Sequence, residues 1–217
     1  MPNTPDTLIH PAKKRTQKRA IAELIRIAEE TAQKRAMSDP GLVAAYLTGS
    51  LRSENPFLGN TTDIDIVFIH AEELSIRREV LPLTPEVHLD IVHNPRSDYK
   101  KPKELRVHPW LGPELYDPLP LYVSQHFFEF VQAGERDKYF EPVNVLARSR
   151  RLAESARQTW SQLQLGQASG PNLLLGYLKS VYAAANATGH RLAHDLHLDA
   201  VRVRSPSYVE YPLSYGL

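Results

Sequence analysis

The sequence predicts an α/β chain that ends in helices, and three observations predict it. Short apolar or alternating runs at "LVAAYLTG", "DIDIVFIH" and "EVHLDIVH" read as strands, a long amphipathic segment precedes them, and three helix-spaced segments follow. The expected organisation is an N-terminal arm and helix over 1–40, a strand-bearing core over 41–120 and a helical C-terminal region over 121–217.

Composition supports a folded chain. With 217 residues, 42% apolar and 24% charged, the chain can bury a core. The formal charge of +1 gives no general pull toward nucleic acid or a membrane surface. Cysteine is absent, which excludes disulfides and thiolate metal sites and fits a reducing compartment. No apolar run reaches membrane-spanning length, and the basic start "MPNTPDTLIHPAKKRTQKRA" lacks the apolar stretch of a signal peptide. The expectation is a soluble cytoplasmic protein.

The elements follow in order. Residues 1–14 read as an arm. From Thr16, the apolar positions Ile21, Leu24, Ile25 and Ala28 recur at helical spacing between charged residues, and "SDPG" should stop that helix near Ser38. "LVAAYLTG" is a buried strand ending at Gly49. In "DIDIVFIH", Ile64, Ile66 and Phe68 share one face, and Asp63 and Asp65 share the other. In "EVHLDIVH", Val87, Leu89 and Ile91 oppose His88 and Asp90. The linking stretch Ala71–Val80 suits a short helix. Seventeen prolines, concentrated mid-chain, make 94–120 an ordered loop with helical turns. "LYVSQHFFEFVQAG", "NVLARSRRLAESARQTWSQL" and "NLLLGYLKSVYAAANATG" then read as helices, and the final stretch from Leu198 as a terminal strand or extended arm.

The chemistry concentrates between Thr48 and Asp90. Two carboxylates at i and i+2 on a strand project from one face, where like charges oppose ionisation unless a cation lies between them. A hard divalent ion such as Mg²⁺ takes oxygen ligands and resolves the conflict. A third carboxylate, Asp90, on a neighbouring strand would complete a site for two ions about 3.5–4 Å apart, which clamps the attacking and leaving oxygens of a phosphoryl displacement. Gly49 and Ser50, at a strand end, lend backbone N–H groups and a hydroxyl to phosphate oxygens.

Thr48-Gly49-Ser50, a gap of twelve residues, Asp63-Ile64-Asp65-Ile66 and Leu89-Asp90-Ile91 together resemble the signature of the DNA polymerase beta-like nucleotidyltransferase superfamily. Thr48 departs from the apolar residue that the pattern prefers, although Leu47 precedes it. The match covers residues 42–92. The resemblance implies a small mixed sheet with flanking helices, two Mg²⁺ ions and a nucleoside triphosphate. It also implies transfer of a nucleoside monophosphate to an acceptor hydroxyl with release of pyrophosphate. By it, Asp63 and Asp65 hold the metals, and Asp90 ligates one metal and serves as base.

The helical C-terminal region, "YLKSVYAAANATG" above all, is similar to that of antibiotic nucleotidyltransferases and antitoxin-type minimal enzymes. In these a helix cation reaches the triphosphate, and Lys179 is the candidate. The implied partners are the triphosphate and a small-molecule or protein acceptor, or a protein partner if the chain is antitoxin-like. Nucleic acid is not expected.

Other features read more plainly. His88 shares the face of Asp90 but suits a hydrogen-bonded structural role. Arg52 and Ser53 are either phosphate contacts or loop surface. "RSDYKKPKELR" is basic, with Tyr99 within it and Trp110 nearby, but Asp98 and Glu104 dilute it, which favours a solvated loop over a nucleic-acid surface. His190, His194 and His197 fall at metal-ligand spacing without the carboxylate of a metalloprotease helix. Arg191 and His197 loosely resemble the pair of helical ribonucleases, but Leu192 stands where that pattern needs a polar residue.

Overall fold

The computed structural model describes residues 11–52, 56–57, 61–166 and 169–195, with side chains from residue 20 to residue 189 of these. Helix α1 (Pro11–Ser38) opens the described chain and starts inside the stretch read as an arm, whose first ten residues lie outside the described residues. It stops where expected. Pro40 cannot continue a helix, and the Asp39 carboxylate accepts the Gly41 N–H at 2.8 Å to turn the chain into β1 (Leu42–Thr48). After a 3₁₀ turn at Ser50–Arg52 come β2 (Thr62–His70), β3 (Arg78–Thr84) and β4 (Val87–Pro95). Short helices α2 (Pro102–Arg106) and α3 (Leu111–Tyr116) lead to β5 (Leu119–Val123), and α4 (Phe127–Arg136), α5 (Pro142–Gln164) and α6 (Pro171–Asp195) complete the described chain.

The five strands form one mixed sheet in the order β3-β4-β2-β1-β5. Only β2 and β4 run parallel; the other three pairings are antiparallel. The mixed sheet with flanking helices is therefore the architecture the sequence led us to expect.

Alternation explains the layers. Ile64, Ile66, Phe68, Leu89 and Ile91 face α1 and bury Ala28 and Ala32 between them. On the opposite face Tyr46, Val67 and Ile69 pack under Leu105, Leu111, Leu115, Phe127 and Phe128 of α2, α3 and α4. An irregularity between Leu42 and Ala44 lets Val43 and Ala44 both serve this second layer. The C-terminal helices attach through Arg148 of α5, whose guanidinium donates to the carbonyls of Arg106 (2.6 Å) and Tyr139 (3.0 Å) and lies 3.9 Å over the Tyr139 ring. Helix α6 adds a ring stack of Tyr182 on Trp110, with centroids 5.2 Å apart. Among the described residues no helix is long and apolar enough to cross a membrane.

Two further expectations fail. The stretch Ala71–Val80 is not a helix: its last residues begin β3, which pairs antiparallel with β4 and covers backbone groups that β4 would otherwise leave open. "LYVSQHFFEFVQAG" is not one helix either. It opens inside β5 and turns through Gln125 and His126, both at positive φ, before α4 starts at Phe127. The terminal segment from Leu198 and His197 lie outside the described residues, as do the side chains of His190, Arg191, Leu192 and His194.

Candidate functional site

The strand register brings the predicted carboxylates together. Asp65 pairs with Asp90 across the parallel β2–β4 ladder, Asp63 pairs with His88, and Thr48 pairs with Asp65 across the antiparallel β1–β2 ladder. All three aspartates point away from α1, on the face whose further reach is covered by the α2–α4 layer. The site thus lies where that layer ends, at the N-terminal ends of β2 and β4.

Gly49 is built into it. Its φ is +73°, and a Cβ placed there would stand 1.8 Å from Oδ2 of Asp65. A side chain is therefore excluded twice, by backbone conformation and by the carboxylate. The Ser50 backbone N–H donates to Asp65. The Ser50 hydroxyl lies 3.3 Å from that of Thr62, which itself donates to the Pro56 carbonyl, so Ser50 is the donor of that pair. The Gly-Ser turn is thus first a seat for Asp65.

Electrostatics mark Asp65 out. Burial, then the charges of Asp90 and Asp63, push its carboxyl up from 3.8 to about 7; the Ser50 N–H opposes this, and Glu114 adds a weaker push. Asp90 is buried and held by a guanidinium fork, Arg78 Nε to Oδ1 at 2.7 Å and Nη2 to Oδ2 at 2.5 Å. Asp63 is more open, with His88 Nδ1 3.7 Å from Oδ1, beyond hydrogen-bond length.

Among the described residues no three His, Asp or Glu side chains form a ready-made metal-ligand set, Asp90 being turned onto Arg78. The donor chemistry nonetheless fits a hard cation. The ligands are all oxygen, and Asp65 is crowded by two like charges.

Arg52, a sequence candidate for phosphate contact, pairs with Asp117 at 2.6 Å, and Ser53 lies outside the described residues. Lys179 sits half-buried on α6, one turn before the Tyr182 that stacks on Trp110, the residue preceding α3. Among the described residues no hydrogen bond or ion pair joins Lys179 to the aspartates. The structure therefore gathers Gly49, Ser50, Asp63, Asp65 and Asp90, and leaves Lys179 outside the group.

Two charged neighbours were missed from sequence. Arg78 lay in a segment read as helix, and only its placement on a strand opposite β4 would have pointed it at Asp90. Glu114, whose carboxylate accepts the Tyr46 hydroxyl at 3.1 Å, comes from "WLGPELYDP", where nothing local signals approach to β2.

No known protein family matches the sequence, and no curated protein does so. Among solved structures, the chain is similar to a nucleotidyltransferase-like protein from Exiguobacterium sibiricum 255-15 at a TM-score of 0.37 and 13% identity, covering 82% of this chain. This chain spans 60% of that protein's length.

Proposed function

We propose that the chain is a Mg²⁺-dependent nucleotidyltransferase that moves a nucleoside monophosphate from a nucleoside triphosphate to an acceptor hydroxyl. The observation that carries this reading is the in-register apposition of Asp65 and Asp90 on parallel strands beside Gly49 and Ser50. When bound, divalent ions supply charge neutralisation for the phosphates and for the oxygens that attack and leave.

The remaining work falls to side chains of this protein. Asp63 and Asp65 would hold the ions, with Asp90 as a further ligand once Arg78 releases it. The Asp90 carboxylate takes the proton of the acceptor hydroxyl as the new oxygen–phosphorus bond forms and the bond to pyrophosphate breaks. Freed from Asp90, the Arg78 guanidinium stands beside the departing phosphates. Ser50 fixes the orientation of Asp65 through its backbone N–H. The acceptor is a small molecule or a protein.

The test incubates the protein with each labelled nucleoside triphosphate, Mg²⁺ and candidate acceptors. Label transfer and pyrophosphate release, both lost in Asp63→Ala and Asp90→Ala, are expected. No binding or transfer with any triphosphate would sink the reading.

One observation favours a second reading, a regulatory or antitoxin-like binding partner with little turnover. The Arg78 fork already neutralises Asp90 from within the chain. On this reading Asp63→Ala and Asp90→Ala leave partner binding intact, and Arg78→Ala gains no transferase activity.

A further inference from the structure

Helix α6 is built inside out for a surface helix. Toward α5 it turns small residues: a Cβ on Gly176 would meet Leu163 at 2.8 Å, Ala183 is buried, and the Ser180 hydroxyl donates to the Ala156 carbonyl at 3.0 Å. Apart from Tyr182, which stacks on Trp110, its large apolar side chains are about half exposed. Leu174 is 59% exposed, Leu178 49% and Val181 47%, and Tyr177 is equally open. Leu174, Leu178, Val181 and Ala185 follow the four-three-four spacing of a helix-to-helix seam.

The contrast with α1 shows what is missing. On α1 the outward residues are charged, with Arg26 bridging Glu23 and Glu30. Between Pro171 and Gly189, α6 carries one charged residue, Lys179. Trp160 of α5, 46% exposed and with its ring centroid 6.3 Å from that of Tyr177, widens the apolar strip.

Two properties of the strip select its occupant. A symmetric contact sets a surface against itself, so like charges on it would face each other; this one carries almost none. Its size is also suitable. Tyr177 and Trp160, rings of the size that buries about 150–250 Å² each, and the half-open Leu174, Leu178 and Val181 together leave on the order of 400–500 Å² of apolar surface, more than half of the ~800 Å² that each partner contributes to a stable interface.

We propose that the outer face of α6, with Trp160 of α5 beside it, is the two-fold interface through which two copies of this chain associate. Helix packs on helix along the Leu174–Ala185 seam, the two copies of α6 crossing as in a four-helix arrangement with both copies of α5. The proposal is independent of the carboxylate site and its chemistry.

The experiment is sedimentation equilibrium of the full chain at about 1–50 µM, together with far-UV circular dichroism. Wild type is expected to be a dimer. Val181→Asp and Val181→Lys are each expected to be monomers with unchanged helicity and a dissociation constant raised at least about a hundredfold. Mixed in equal amounts, they should associate again, which a merely misfolded variant does not do. A monomeric wild type overturns the proposal. In that case slow hydrogen exchange on α6 assigns the face to a segment of the same chain, and fast exchange assigns it to a different protein. A dimer that survives both single variants and Leu174→Glu also overturns it, by placing the interface elsewhere.

Discussion

The two ends of the β2–β4 pair treat charge in opposite ways. At the N-terminal end, on the face away from α1, Asp63, Asp65 and Asp90 stand close, and burial with like charge lifts Asp65 to about 7. At the C-terminal end, on the α1 face, two carboxylates flank a pair of histidines and an arginine closes the series. Asp39 lies 3.1 Å from His70, His70 Nε2 is 2.9 Å from His93 Nδ1, His93 Nε2 is 2.9 Å from Glu79, and Glu79 accepts from Arg35 at 2.7 Å. These residues line a cavity of about 350 Å³, and hydrogen bonds join them from Arg35 through to His70, whose Nδ1 faces Asp39 without a formed hydrogen bond. Titratable groups that satisfy one another hold elements together; like charges forced together ask for a ligand. The same two strands thus carry a brace at one end and the candidate site at the other.

Breaking the acidic end should have the largest effect. Asp65→Ala is expected to lower pyrophosphate release about a thousandfold in a steady-state assay, the scale of removing one preorganised charge-stabilising group. Gly49→Ala should follow. Its left-handed backbone costs an alanine about 1–2 kcal/mol, and the added methyl must also displace the Asp65 carboxylate. Thermal denaturation should show a melting temperature lower by at least ~2–4 °C, together with reduced transfer.

The pH dependence sharpens the contrast. Asp65 binds its proton more tightly folded than unfolded, so its contribution is fully present below about pH 4 and is lost as pH rises through about 7. Asp65→Asn should therefore stabilise the metal-free protein at pH 8, by up to about 4 kcal/mol for a shift of this size, and change little at pH 4. Denaturant titration at both pH values measures it. Mg²⁺ should raise the wild-type melting temperature at pH 8 and not that of the variant.

The histidine end runs the other way. Burial lowers both His70 and His93 from 6.5, so the folded state resists their protonation and stability declines as pH falls below about 6.5. Glu79→Ala, which unpairs His93 and Arg35, should cost about 1–3 kcal/mol and leave transfer unchanged. Loss of activity there would remove the distinction between brace and site.

How much of this was legible follows the sheet from centre to edge. The central strands β1, β2 and β4 were readable because burial on both sides forces clean patterns, and so Gly49, Ser50, Asp63, Asp65 and Asp90 could be grouped before any coordinates. The edge strands β3 and β5 were not. Each has one neighbour, each contains a proline, Pro82 or Pro120, and β3 is largely exposed, so neither needs to alternate. Arg78 was invisible for the same reason, since its role depends on an edge strand. Glu114 depended on a long-range approach that no local pattern records.

The register of the β2–β4 ladder makes the site vulnerable at a distance. Residues 84–86 turn β3 into β4, where the Glu86 N–H donates to the Thr84 hydroxyl and the Glu86 carbonyl accepts from Thr62. One residue inserted in β4 between that turn and Asp90 would rotate Asp90 into the layer under α1, where Leu89 and Ile91 now sit. Two would keep its side but carry it past Asp65. The stretch of β4 ahead of Asp90 is thus under the same length constraint as the aspartates themselves, so natural insertions should gather in the connections on either side of β3 and spare residues 87–90.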